Sequence, residues 1–440
     1  MKTKRVINFG IFAHIDAGKT TLTERILFQE GVISSFGDIE SGTTETDFLE
    51  EEISRGISIQ SVVVQFDRIF RNEKFKINLI DTPGHLDFDE QVSEIVGVID
   101  LGVLVVDVRS KVQSQTEILW KKLSEKKIPT IFFLNKTDST DLDLRKIISE
   151  LKAEFKSNLH PAFFFKKDAA AKTESILKAE KKDENILIPF LEWDSSLSEK
   201  FLESPEKIKS IAMEGLKNGF HLRAFFPVLA GSAKTGAGVG DLLDFICFVD
   251  WSSENASSRE NESVYAFKKQ IHPDYGKIYF FKTLQDLNRG EALFYGSERI
   301  KLERIFSPKA MNLEEIGTAE KGGIFAAVIS ADIPKGTTLT KAPSLLNLFG
   351  ARTKGENSQQ FGVVIEPVSG EDLAKLQNSV HELIWEDDSY SAKIQKFTGQ
   401  LELWGQGELH IEIGLSRLAK KIGEIFSVGK LKVARYEIWK

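Results

Sequence analysis

An apolar run, Val6–Phe12, leads directly into AHIDAGKT at residues 13–20 and then into a stretch with helical spacing. A strand, a glycine-containing turn and a helix start, in that order, leave few folds open. The turn gathers backbone N–H groups and a helix N-terminus at one sheet edge, and such an edge suits phosphate. Gly18 lets the backbone approach closely, Lys19 can reach β- and γ-phosphates, and the Thr20 hydroxyl can ligate Mg²⁺. Ala13 stands where the common pattern has Gly; His14, Ile15, Asp16, Ala17 and Thr21 complete the candidate loop. An ordinary glycine turn is the plain alternative.

The rest of the first 249 residues alternates short apolar runs with amphipathic stretches of helix length, which predicts an α/β fold around a doubly wound, mainly parallel sheet. Candidate strands are 6–12, 62–66, 75–80, 102–107, 130–134 and 226–230. Three of them end in chemically specific loops. After the third stands DTPGH, in which Asp81 suits support of Mg²⁺, Thr82 and Pro83 form the turn, the Gly84 N–H can contact a γ-phosphate and His85 follows beside it. After the fifth stands NKTD, Asn135-Lys136-Thr137-Asp138. Asn135 can pair with the carbonyl-and-N7 edge of guanine, and the Asp138 carboxylate can accept from the ring N–H and the exocyclic amine. Adenine lacks that donor pair and would leave a carboxylate unpaired, at a cost of a few kcal/mol. After the sixth stands GSAK, where Ser232, the Ala233 N–H and Lys234 can meet the base, or Ser232 can simply cap a helix. Ligands of open α/β sheets bind at the carboxyl ends of strands, so four such loops in this order predict a guanine-nucleotide site.

A chain of 440 residues has room for two to four domains at roughly 100–200 residues each. The sequence predicts a nucleotide domain over 1–250 with an insertion near 156–225, a small β-barrel over 263–343 and an α+β sandwich over 360–440. A Ser-rich stretch, 250–263, reads as the connector. Within the insertion, 166–184 carries mixed charge at helical spacing and reads as an exposed helix. With 58 Lys+Arg against 65 Asp+Glu, the net charge of −7 excludes a protein that coats nucleic acid with a basic surface. Only the last 26 residues, with seven Lys/Arg and two acidic residues, offer a local basic patch. The one cysteine, Cys247, reads as a buried structural thiol, in keeping with a reducing cytoplasm. No apolar run approaches the ~20 residues a bilayer span needs, and the basic-then-apolar start reads as the first strand.

AHIDAGKTTLTERILF, RGISIQS, DTPGHLDF, NKTD and GSAK together resemble a translational GTPase of the elongation factor G and tetracycline-resistance ribosomal protection superfamily. GKIYFFKT resembles its second, barrel domain, and IEPVSGEDLAKLQNSVHELIWEDDSY, TGQLELWGQGELHIEI and VGKLKVARYE resemble its third. The resemblance implies hydrolysis of GTP to GDP and phosphate with Mg²⁺, binding to the factor-binding region of large-subunit rRNA, and a soluble monomer without membrane contact. Lys19 and Gly84 would act on the phosphates, and His85 would orient the attacking water.

The family's switch I maps to about 34–59, and the Thr that ligates Mg²⁺ in that motif is matched here by Ser58. With Thr20 and Asp81, Ser58 completes the expected metal set. Lacking the methyl that restricts a threonine rotamer, it predicts weaker ordering of the active state. Ile15 and Ile57 match an apolar pair beside the histidine, and Lys111 stands where relatives carry Gly. The resemblance stops where the family's third domain ends, so a fourth and fifth domain are expected to be lacking. This leaves open a translation factor, a ribosome- or protein-binding GTP switch without translocase activity, and a ribosomal protection or recycling factor fragment.

Overall fold

The computed structural model describes residues 5–37, 44, 50–55, 58–110, 112–139, 142–166, 169–178, 183–249, 262–309, 312–343, 361–394, 400–423, 425–429 and 432–433. They fall into two compact units, one drawn from 1–85, 91–257 and 308–314, the other from 86–90, 258–307 and 315–440.

The first unit is a mixed α/β layer structure around a large, mainly parallel sheet. Its elements are β1 (Arg5–Ala13), α1 (Lys19–Gln29), α2 (Glu50–Arg55), β2 (Val62–Phe70), β3 (Glu73–Asp81), α3 (Asp89–Val96), β4 (Leu101–Asp107), α4 (Ser114–Glu125), β5 (Thr130–Asn135), α5 (Leu144–Phe155), β6 (Leu159–Pro161), β7 (Phe163–Lys166), β8 (Ala169–Ser175), α6 (Glu184–Leu187), α7 (Ser195–Glu203), α8 (Ile208–His221), β9 (Phe226–Ala230) and α9 (Val239–Phe248). The strand order is β2-β3-β1-β4-β5-β9-β6, and every pair is parallel except β2 with β3. β4 and β5 are buried at every position, as strands covered by helices on both faces must be, and they read as unbroken apolar runs. β2 and β3 instead form a hairpin whose two-residue loop, Arg71-Asn72, has both φ values positive (49° and 62°), matching the twist of the strands it joins. The core gathers Phe9, Ile11, Leu22, Ile26, Val103, Phe133 and Ile246. Cys247 belongs to it, and burial pushes its thiol up to about 12.

One expectation is overturned. Within the mixed-charge stretch 166–184, residues 169–175 are a strand and not a helix: β7 and β8 pair antiparallel, Phe163 opposite Ser175 and Phe165 opposite Thr173. The buried Phe163 and Phe164 need a covering strand, and that tertiary demand overrides a helical charge pattern.

In the second unit β10 (Glu262–His272), β11 (Gly276–Thr283), β12 (Leu287–Asn288), β13 (Ala292–Tyr295), β14 (Glu298–Lys309), β15 (Asn312–Glu315), β16 (Thr318–Ala319), β17 (Ile324–Ile329) and β18 (Thr338–Thr340) make up an all-β region, part of which, residues 308–314, is counted with the first unit. The order β13-β18-β10-β11-β17-β14 closes through pairing of β13 with β14, giving an antiparallel barrel filled by residues such as Val264, Phe281, Leu302 and Phe325. Next come β19 (Phe361–Pro367), α10 (Leu373–Glu386), β20 (Ser391–Ile394), β21 (Leu401–Gly405), α11 (Glu408–Ile422), β22 (Phe426–Val428) and β23 (Lys432–Val433). The strands form one antiparallel sheet, β20-β21-β19-β22 with β23 also on β19, and the apolar faces of α10 and α11 cover it through Leu376, Val380, Ile411 and Leu418. GQGELH is the turn and helix start between β21 and α11. The His410 Nδ1 accepts from the Gln406 N–H at 3.0 Å, and the ring stacks on Tyr390 with centroids 3.8 Å apart. No helix among the described residues is long and apolar enough to cross a membrane.

Candidate nucleotide site

Register places the carboxyl ends of the central strands side by side: Ile11 opposite Asp81, Ala13 opposite Val105, Asp107 opposite Asn135 and Leu134 opposite Ala230. The loops that leave them enclose a cavity of about 600 Å³, within the range of small-ligand sites. Of the loop residues singled out from the sequence, His14, Ile15, Asp16, Gly18, Lys19, Thr20, Thr21, Ser58, Gly84, Asn135, Lys136, Asp138, Ala233 and Lys234 line it.

At one end the Lys19 side chain, 7% exposed, directs its Nζ at both Asp81 oxygens (2.8 and 2.9 Å) and at Ser58 Oγ (2.8 Å). Ser58 Oγ also lies 3.1 Å from Thr20 Oγ1. A buried ammonium would be costly alone; here a carboxylate and a hydroxyl satisfy it. The Gly84 N–H donates to the Ser58 carbonyl at 3.4 Å, and Thr82 Oγ1 donates to the Ile11 carbonyl at 2.7 Å, tying this loop to β1. Two hydroxyls, a carboxylate and an ammonium within hydrogen-bond reach of one another form a donor set that fits a Mg²⁺–triphosphate pair. The Nε2 of His14, which lines the cavity, has no partner among the described residues, and burial lowers the pKa of that ring.

At the other end Asn135 braces two loops. Its Nδ2 donates to the Ala17 carbonyl (2.8 Å) and its Oδ1 accepts from the Ala233 N–H (2.9 Å). The Lys136 ammonium pairs with Asp107 at 2.8 Å and donates to the Asp16 carbonyl. Arg25 of α1 holds the GSAK loop by donating to the Ala233 carbonyl at 2.9 Å and to the Lys234 carbonyl. Gly18 has φ +89°, and a Cβ there would lie 2.5 Å from Asn135 Nδ2. Only glycine fits that corner.

Other sequence-selected residues support the cavity without lining it. Ala13, Ala17, Thr82, Pro83 and Ser232 are buried beneath it, and Ser232 Oγ accepts from the Thr235 N–H at 3.2 Å within a turn; Gly238, not Ser232, stands at the N-cap of α9. Thr137 donates its N–H to the Gly231 carbonyl at 3.1 Å. Asp81 acts through Lys19, and His85 is half-buried just beyond Gly84. Ile57 and Lys111 lie outside the described residues, as do half of the switch I stretch and the 250–261 connector. In the basic C-terminal segment, Arg417 pairs with Glu386 and Lys421 with Glu382.

The lining also includes Phe36 and Gly37, at the start of the mapped switch I stretch, and Arg109, which no loop motif marks. Gln115 accepts from the Ile15 N–H at 3.3 Å and donates to the Gly84 carbonyl, joining the phosphate loop to the DTPGH loop. It sits in the first turn of α4, the helix that follows β4.

Residues 4–249 match the elongation factor Tu GTP binding domain, a match over more than half of the chain. The chain belongs to that family of GTP-binding GTPases. Residues 359–430 match elongation factor G, domain III, so the chain is a translational GTPase of the elongation factor G type. Its fold is similar to the crystal structure of a protein from Thermus thermophilus, with a TM-score of 0.81 and 23% identity over 99% of this chain and 68% of that one.

Proposed function

We propose that this translational GTPase hydrolyses GTP to GDP and phosphate in the cytoplasm, as a monomer, when it engages the rRNA of the large ribosomal subunit. The observation that carries this reading is the convergence on one cavity of Lys19, Thr20, Ser58 and Gly84 with Asn135, Asp138 and the Ala233 loop. We further assign 1–250 to the nucleotide domain, 263–343 to the barrel and 360–440 to the third domain.

Phosphoryl transfer asks little covalent chemistry of a protein, so the site works by positioning and charge. Lys19 exchanges Asp81 for the β- and γ-phosphates. Thr20 and Ser58 would hold Mg²⁺ through their hydroxyls with Asp81 in support, and the ion would supply neutralisation of negative charge on the phosphates. The Gly84 N–H turns from the Ser58 carbonyl to the γ-phosphate, and His85 orients the water whose oxygen attacks phosphorus as the bond to GDP breaks. Asp138 reads the guanine ring N–H and amine, while Asn135, Lys136, Thr137, Ser232, Ala233 and Lys234 shape the base pocket.

His85→Ala tests the catalytic assignment. The variant is expected to bind GTP within threefold of the parent and to lose ribosome-stimulated phosphate release; full stimulated turnover would overturn the role of His85.

A further inference from the structure

Arg109 stands two residues past the end of β4, and β4 lies between β1, which carries the phosphate loop, and β5, which carries the base loop. Strand order therefore sets an order of ligand parts along this edge. On the nucleotide-site reading, phosphates would lie over β1 and the base over β5, so the sugar and the phosphate attached to it would fall over β4.

The guanidinium of Arg109 is fixed there. Its Nε lies 3.1 Å from Asp107 Oδ1, its Nη2 lies 3.0 Å from Asp107 Oδ2, and its own backbone N–H donates to the same carboxylate at 2.9 Å. Asp107 is in turn held by Lys136, so the fork is tied to the phosphate loop through the Asp16 carbonyl. A guanidinium carries five N–H donors, and the two nitrogens named here each give Asp107 one bond. The Arg109 side chain is 51% exposed and lines the cavity, whereas that of Asp107 is 8% exposed. Asp107 is thus its anchor. Among the described lining residues Lys19, Arg109, Lys136 and Lys234 are cationic, and Asp81 and Asp107 behind the lining pair with the first three.

We infer that Arg109 is a further binding residue of this site, donating to the α-phosphate of a guanine nucleotide. The inference rests on the reading of the cavity as a guanine-nucleotide site and adds a contact that none of the four loop motifs contains.

The test is calorimetric titration of the full chain and its Arg109→Ala, Arg109→Gln and Arg109→Lys variants with guanosine, GMP and GDP. Loss of a charge-assisted bond predicts GMP and GDP affinities about tenfold weaker in the Ala and Gln variants, guanosine affinity unchanged within twofold, and partial recovery with Lys. The salt dependence of GDP binding should also become shallower. A purely structural role, acting through Asp107 and Lys136, would weaken guanosine as much as GDP, and either that result or unchanged GDP affinity overturns the inference. If Arg109→Ala fails to fold, the Gln variant carries the test. Failure of the parent chain to bind GDP would refute the nucleotide-site reading instead.

Discussion

Replacing Asn135 with Ala should loosen two loops at once, because a single side chain that is 1% exposed holds both. Its removal deletes the 2.8 Å bond to the Ala17 carbonyl and the 2.9 Å bond from the Ala233 N–H. Each stranded backbone group costs about 1–3 kcal/mol when water cannot replace its partner. Allowing for some water entry, the pair amounts to about 2–4 kcal/mol against local opening. That corresponds to roughly 30- to 900-fold faster amide exchange where exchange follows local opening. Hydrogen exchange read by mass spectrometry on peptides spanning 13–20 and 230–237 measures it in the intact chain. Asn135→Asp sharpens the test. Its carboxylate still accepts from the Ala233 N–H but faces the Ala17 carbonyl with no donor, so the phosphate loop should loosen while the GSAK loop stays protected. Unchanged exchange in both loops of the Ala variant would refute the bracing role.

Other consequences follow from the same geometry. Gly18→Ala forces a side chain onto φ +89° and 2.5 Å from the pinned Asn135 amide, so GDP affinity should fall more than tenfold and stability by about 2 kcal/mol, read by calorimetry and urea unfolding. Burial would raise the pKa of Asp107, but the hydrogen bonds from Arg109 and Lys136 outweigh it and hold the carboxyl at about 2 against an ordinary 3.8. A depressed folded-state pKa stabilises above about pH 4 and loses that effect as pH falls toward 2. The urea-midpoint gap between parent and Asp107→Asn should be flat above pH 4 and shrink below it; a gap that grows on acidification would contradict the pairing. Cys247, pushed up to about 12 by burial, should resist thiol alkylation in the native protein at neutral pH and react in urea.

The nucleotide fold was legible because its chemistry is local. Strand, turn and helix signals coincide at Ala13–Thr21, and DTPGH, NKTD and GSAK each close a strand, so motif spacing gave both the sheet and its working edge. Long-range pairing was harder to read. β7 and β8 carry charges at helical spacing, and only the burial of Phe163 and Phe164 decides for a hairpin. The long barrel strands β10 and β14 were harder to read because a register shift interrupts each, between Ala266 and Lys268 and between Leu302 and Arg304. Arg109 and Gln115 were hidden for a related reason. Gln115 is the Gln of a Val-x-x-Gln-Thr stretch that relatives share, while Arg109 belongs to none of the four loop motifs; each gains its meaning only from what β4 places beside it.

The central claim is that this sheet edge reads guanine. Titration of the full chain with GTP, GDP, ATP and xanthosine diphosphate, repeated with Asp138→Asn, tests it most directly. The account predicts micromolar or tighter binding of GTP and GDP, ATP weaker by at least a hundredfold, and a shift toward xanthine in the variant. Equal affinity for ATP and GTP, or no shift in base preference, would contradict it.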